Sequence, residues 1–349
     1  MFKPKPLNEQ VIVLTGATSG IGLVTARMAA KRGARLVLVA RSEKALRKLT
    51  REINDAGGDA RFVAADVAHD EELQKAASEA VHFYGNFDTW INNAGVSIYG
   101  NLEDVPHPDS RRLFDTNFWG VVNGSVIAAK AFRLRGGTII NMGSTLSERA
   151  IPVQGMYCAS KHAVKGFTDA LRMELEADDA PVSVTLIKPS AIDTPYKDHA
   201  KNYLGVRPEN PPPVYAPEVV AETILHCAEN AVRDVFVGAG GKAMAVVGEL
   251  APRLTDLVME NTMIEIQKTD EKVEGQPKDS LYESSDASLT ERGGYSGHVA
   301  ESSVYTTASL HPVAAGAALA VGLGAAFAVG KHLTGGGKTT DEAAAPEAP

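Results

Sequence analysis

Short, wholly apolar runs alternate along most of the chain with longer stretches whose apolar positions recur every three or four residues. Val11 to Leu14 is the first apolar run, and its pattern predicts a strand buried on both faces. A glycine-rich turn follows from Thr15 to Gly22, and a helical pattern then runs to about Arg32. Arg35 to Ala40 predicts the next buried strand. Ser42 to about Ala56 predicts an amphipathic helix that Gly57 and Gly58 stop. Arg61 to Ala65 predicts a third strand ending at Asp66, a helix continues to about Tyr84, and Phe87 to Asn92 predicts a fourth strand. Helical periodicity returns from about Ser110 to Arg133, followed by a strand-like run over Gly137 to Gly143, a helix carrying Tyr157 and a strand over Val182 to Ile187. Ala191 to Pro217 is irregular and contains three consecutive prolines, Pro211 to Pro213, so a loop or lid is expected there. A helix over Glu218 to about Asn230, a strand over Asp234 to Val237 and a helical stretch over Lys242 to Ile266 complete the pattern. Strands that alternate with helices across short loops predict an α/β fold, a doubly wound and mostly parallel sheet of about seven strands.

The pattern changes after about Lys268. Residues 267–311 are rich in Ser, Thr, Asp, Glu and Gly and poor in large apolar side chains, which predicts a disordered linker. The expected organisation is a catalytic domain over 1–266, the linker, an Ala/Gly-rich apolar segment over 312–331 and a polar tail over 332–349. Residues 313–330 carry no charge. As a helix they would reach about 27 Å, against about 30 Å for a hydrocarbon core. Six of them are Leu, Val or Phe and four are Gly, a weak drive for insertion. Gly316, Ala320 and Gly324 recur every four residues, which suits close helix pairing in a bilayer. It equally suits a tail docked on another subunit. The two readings stay open: membrane contact through 313–330, or a soluble extension.

Composition narrows the class. The 349 residues are 44% hydrophobic and 22% charged, with a formal net charge of -8. That is ordinary for a globular core. Basic clusters are missing, so nucleic acid is excluded as the expected partner. The two cysteines, Cys158 and Cys227, make no disulfide framework, and no Cys/His spacing suits a metal. The amino terminus lacks the apolar core of a secretory signal, so a cytoplasmic catalytic domain is expected.

Candidate chemistry begins at the glycine turn. It follows a strand and opens a helix, the setting in which backbone N–H groups and a helix dipole receive phosphates. Gly16 permits the tight turn, while Gly20 and Gly22 permit close approach of backbone to pyrophosphate and of helix to strand. The end of the second strand distinguishes cofactors. An acidic residue there would suit the ribose of NAD. This chain has Arg41 and Ser42 instead, a guanidinium and a hydroxyl suited to the 2′-phosphate of NADP. Ser42 is also placed to be a helix N-cap. Tyr157 and Lys161 stand four apart on one predicted helix face. A lysine ammonium near a phenol favours the phenolate and lowers the phenol pKa from about 10, as a proton transfer coupled to hydride transfer needs. Ser144 closes the strand-like run before that helix and could hold a substrate oxygen. An ordinary surface Tyr and Lys is the competing reading of the pair alone.

Turn, serine and Tyr/Lys pair occur in order in one α/β chain, which resembles the short-chain dehydrogenase/reductase family in its single-domain, Rossmann-like form over about residues 8–265. The resemblance implies a cofactor turn that includes Gly16, Thr18, Ser19, Gly20, Ile21 and Gly22, and an adenine-contacting position at Asp66 and Val67. It implies an NNAG segment at Asn92 to Gly95, in which Asn93, Ala94 and Gly95 support the cofactor. Pro189, Ile192 and Thr194 belong to a nicotinamide-contacting segment, in which Ser190 replaces the usual glycine. Asn117, Ser144, Tyr157 and Lys161 are implied as the catalytic set, with Asn117 holding a relay water and Tyr157 and Lys161 also meeting the nicotinamide ribose. The implied activity is NADP-dependent interconversion of an alcohol and a carbonyl compound. A non-catalytic NADP-binding sensor is the alternative. Leu146, Ile151, Met156, Tyr196 and Tyr203 are expected to line an apolar substrate pocket. A homo-oligomer built through the helices carrying Asn117 and Tyr157 is also implied.

Overall fold

The computed structural model describes residues 2–317 except 274, 276–277 and 285–288. Seven strands form the central sheet: β1 (Val11–Thr15), β2 (Arg35–Ala40), β3 (Asp59–Ala64), β4 (Thr89–Asn92), β5 (Gly137–Met142), β6 (Val182–Pro189) and β7 (Asp234–Val237). Their spatial order is β7-β6-β5-β4-β1-β2-β3, and every pairing is parallel. Chain order therefore reverses between β1 and β4. Helices cover a sheet of this kind on both faces, so its strands can be apolar throughout. β1 and β5 are buried at every position. Val11, Val13, Val37, Val39, Phe87, Trp90, Phe132 and Ile139 pack as one continuous core.

The helices begin and end where local chemistry dictates. Helix α1 (Gly20–Lys31) opens directly from the glycine turn. Ser42 caps α2 (Glu43–Asp55) by accepting from the Ala45 N–H at 3.4 Å. Gly85, at φ 80°, ends α3 (Asp70–Tyr84), a backbone region glycine enters without steric cost. The stretch expected as one helix from Ser110 to Arg133 is interrupted. Helix α4 (His107–Phe114) passes through one π turn, Asp115–Trp119, into α5 (Gly120–Phe132). Helix α6 (Gly155–Ala177) carries Tyr157 and Lys161.

Buried polar groups tie the sheet's centre together. Asn92 Nδ2 donates to Asn141 Oδ1 at 2.8 Å and to Ser125 Oγ at 3.0 Å, and Asn141 Nδ2 donates to Thr168 Oγ1 at 3.0 Å. Each of these side chains is satisfied inside the core, which keeps it from being a desolvation cost.

The expected linker is a correction. Lys268–Lys272 pairs antiparallel with Val206–Pro208, and Val299–Ala300 pairs parallel with Val214–Tyr215. Leu281 is completely buried beside Val96, Ile98, Val105 and Leu113. Residues up to Thr306 thus belong to one compact unit with the sheet. Composition under-reads this stretch because it is attached by backbone pairing, one apolar anchor and polar contacts such as Arg27 to Glu291, Lys201 to Asp279 and Arg292 to Glu218, none of which an apolar pattern reveals. Residues 307–317, described separately, are largely helical. No helix among the described residues is long and apolar enough to cross a membrane; most of the 313–330 segment lies outside them.

Candidate active site

The loops at the carboxyl ends of β1 and β4 meet where the strand order reverses, the place where open α/β sheets bind ligands. Thr15 organises this junction. Its hydroxyl donates to the Ile91 carbonyl at 3.2 Å and accepts from the N–H groups of Asn93 and Ala94 at 3.0 and 3.1 Å. Asn93 Nδ2 returns to the carbonyls of Thr15 and Gly16 at 3.1 and 3.2 Å. The glycines are required by space. A Cβ on Gly22 would stand 2.0 Å from the Gly16 carbonyl oxygen, and one on Gly16 would stand 2.8 Å from Ala94 Cα. The N–H groups of Ile21 and Gly22, at the start of α1, have no protein partner among the described residues. An open cradle of glycine backbone with unpaired donors fits a dinucleotide pyrophosphate.

A cavity of about 210 Å³ extends from this turn. Gly16, Thr18, Ser19, Gly20, Ile21 and Gly22 line it, together with Arg41, Ser42, Asp66 and Val67 and with Asn93, Ala94, Gly95 and Thr194. Asp66 is engaged on both oxygens: one accepts from the Ala68 N–H at 3.0 Å and the other from the Arg112 guanidinium. Those donors hold its carboxyl below the usual range although burial pushes the other way. Arg112 carries no recognisable motif in the sequence. Only the packing of α4 against β3's end reveals it.

A second cavity of about 420 Å³ adjoins the first and shares Ile21, Asn93, Gly95, Thr194 and Tyr196 with it. Ser144, Tyr157, Lys161, Pro189 and Ile192 line it. A single turn, Thr145–Ser147, fixes Ser144 through a reciprocal cap. Ser144 Oγ accepts from the Leu146 N–H at 3.0 Å, and the Ser144 N–H donates to Ser147 Oγ at 3.1 Å. Lys161 Nζ donates to the Met142 carbonyl at 2.8 Å and sits 5.6 Å from the Tyr157 ring centroid. Burial pushes the Lys161 ammonium down to about 8. It also pushes the Tyr157 phenol up to about 12. The Tyr157 phenol thus lies above its usual range, where a depression by Lys161 was expected, because burial disfavours the phenolate.

Asn117 sits in the π turn, off both cavities and fully buried. Its Oδ1 accepts from the Val96 N–H at 2.8 Å, and its Nδ2 donates to the Val96 carbonyl at 2.9 Å and to Ser160 Oγ at 3.2 Å. The side chain ties the loop after β4 to α6, the helix of Tyr157 and Lys161. Both amide hydrogens are committed to protein partners.

The expected substrate lining is met in part. Leu146, Ile151 and Tyr196 line the second cavity; Met156 and Tyr203 do not. Tyr203 instead donates to Asp109. Met244, Met259 and Met263 take their place, brought in from the carboxyl-terminal helices by packing that no local pattern announces. Tyr196 was legible only as lining. Its ring meets Tyr157 edge to face at a centroid distance of 5.6 Å, and among the described residues its buried hydroxyl has no partner of hydrogen-bond geometry. No group of three or more His, Cys, Asp or Glu among the described residues is placed to hold a metal.

Residues 10–203 match the family model described as short chain dehydrogenase. The chain is 46% identical over 322 residues to the uncharacterized oxidoreductase YxnA of Bacillus subtilis, covering 91% of this chain and 90% of that one. It is 33% identical over 261 residues to dehydrogenase/reductase SDR family member 7B of Xenopus tropicalis, covering 71% and 84%. Its fold is similar to that of an alcohol dehydrogenase from the archaeon Thermococcus sibiricus, solved in complex with 5-hydroxy-NADP, with a TM-score of 0.58 and 24% identity over 65% of this chain and 95% of that one.

Proposed function

Because the chain belongs to the short-chain dehydrogenase/reductase family and is an oxidoreductase of that fold, we propose that it interconverts an uncharged alcohol and its ketone or aldehyde with NADP(H), using Tyr157, Lys161 and Ser144. The observation that carries this reading is the continuity of the two cavities: a glycine cradle with open N–H donors leads directly to a tyrosine, a buried lysine and a capped serine. Bound NADPH supplies the hydride. In reduction the Tyr157 phenol gives its proton to the substrate oxygen, and in oxidation the phenolate takes it back. Ser144, held by its cap, donates to the same oxygen. The Lys161 ammonium stabilises the phenolate left behind, and its low-dielectric setting strengthens that interaction. Asn117 positions α6 and the loop at Val96.

Arg41 and Ser42 support NADP over NAD, since they place a cation and a hydroxyl at the end of the cavity where an acidic residue would favour NAD. Substrate chemistry is read from the second cavity. Leu146, Ile151, Met244, Met259, Met263 and the prolines Pro211 to Pro213 make it apolar, and Lys161 is the one ionised side chain lining it among the described residues. An apolar carbonyl compound with no carboxylate or phosphate suits such a site. The half-exposed Trp119, at the end of the π turn, suits the homo-oligomer that the family implies. A screen of neutral ketones and alcohols with NADPH, NADP+, NADH and NAD+, read by absorbance of the reduced nicotinamide, tests the activity. Turnover of apolar substrates with the phosphorylated cofactor is expected. Tight cofactor binding without turnover of any of them would favour the sensor reading instead.

A further inference from the structure

Residues 280–284 and 290–295 lie along the open side of the glycine cradle, held there at three places. Leu281 is fully buried in an apolar cluster against which Tyr157 also packs. The carbonyls of Ser280, Leu281 and Tyr282 accept from the Arg41 guanidinium, those of Leu281 and Tyr282 at 3.4 and 3.1 Å, and the Leu281 carbonyl also accepts from Arg112 Nε at 3.0 Å. The Thr290 carbonyl accepts from the Gly20 N–H at 2.9 Å. Farther on, one Asp193 oxygen accepts from the N–H groups of Gly293 and Tyr295, both at 3.0 Å. Gly293 is pressed so close to Thr194 that a Cβ there would stand 2.2 Å from the Thr194 carbonyl oxygen.

These contacts flank the cradle without filling it. Ser280 and Ser284 line the same cavity as the glycine turn, Arg41 and Asp66. Gly20 spends its N–H on Thr290, while those of Ile21 and Gly22 stay open toward the cavity. We propose that residues 280–284 and 290–295 form an additional wall of the dinucleotide site, in which the Ser280 and Ser284 hydroxyls meet the cofactor and the carbonyls of 280–282 fix the Arg41 guanidinium, so that the wall retards cofactor release. Three carbonyls on one guanidinium hold its plane in a single orientation while its charge remains available to a phosphate. The wall lies outside the residues the family model matches, which end at 203. The match to YxnA takes in 267–311 wherever it begins.

The inference rests on the cleft being a nicotinamide dinucleotide site, and the experiment keeps the two apart. In the full chain, NADPH release is timed by stopped-flow fluorescence after a chase with excess NADP+, for the unaltered protein, Leu281→Ala and Asp193→Ala, which loosen opposite ends of the wall. Backbone hydrogen exchange of residues 278–296 is followed with and without NADPH. Release about tenfold faster in each variant, and slower exchange of this stretch on NADPH binding to the unaltered chain, are expected. Exchange unchanged by bound NADPH, or release within about twofold of the unaltered chain in variants whose wall exchanges faster, would overturn the proposal. A chain that binds no NADPH at all would overturn the site reading instead.

Discussion

Lys161 is a cation that the fold holds at a cost. Its folded pKa of about 8 lies below the usual lysine value of 10.5, so the unfolded chain binds the extra proton between those two values. Stability from this residue therefore rises with pH through the window from 8 to 10.5, and the penalty is fully present below 8. Lys161→Met removes the penalty and gives up the hydrogen bond to Met142. The net expectation is a cofactor-free protein about 2 kcal/mol more stable at pH 7, with the gain fading as pH approaches 10.5. Urea unfolding of both proteins across that range checks it; a gain independent of pH would contradict it. Arg41 offers the second test at this scale. Arg41→Asp removes a bidentate donor and sets a carboxylate against the 2′-phosphate, so the NADPH dissociation constant should rise by about a hundredfold and that for NADH by much less. Equal loss for both, measured by fluorescence titration, would mean that Arg41 does not read the phosphate.

At the scale of elements, the π turn Asp115–Trp119 is where the sequence reading and the structure part most informatively. Periodicity over 110–133 gives one helix, because helical spacing is present on both sides of the turn and a short window does not mark one extra residue. The consequence is that Asn117 is spent on Val96 and Ser160. Asn117→Ala would leave the buried Val96 N–H and carbonyl unpaired, and a loss of about 3 kcal/mol in urea unfolding is expected. A variant with wild-type stability and lost turnover would instead favour the relay-water role that the family resemblance implies. Two strands, by contrast, were legible to the residue: Arg35–Ala40 and Asp234–Val237 fall where the apolar runs lie, while the third and fourth begin two residues from the expected Arg61 and Phe87. The glycine turn and the Tyr157/Lys161 pair were also legible. Each is a local arrangement within one turn or one helix. Arg112, the methionines of the substrate cavity and the wall at 280–295 are contacts between distant segments, and no short window of sequence contains both partners.

For the whole molecule, the sheet brings the glycine cradle after β1 beside Ser144 after β5 and Tyr157 on α6, and residues 280–284 and 290–295 run along the cradle's open side. The unit that ends at Thr306 thus contains two adjoining cavities, under the proposed function a cofactor cleft and an apolar substrate pocket lined by Tyr157. The central claim is that Tyr157 passes the proton in a reaction for which the rest of the unit only binds and orients. The most direct measurement is a single-turnover reduction of an apolar ketone by NADPH in Tyr157→Phe, with NADPH binding titrated on the same sample. The account predicts a fall in rate of about a thousandfold or more with NADPH affinity within about threefold of the unaltered chain. Near-normal turnover, or loss of turnover that tracks loss of NADPH binding, would contradict it.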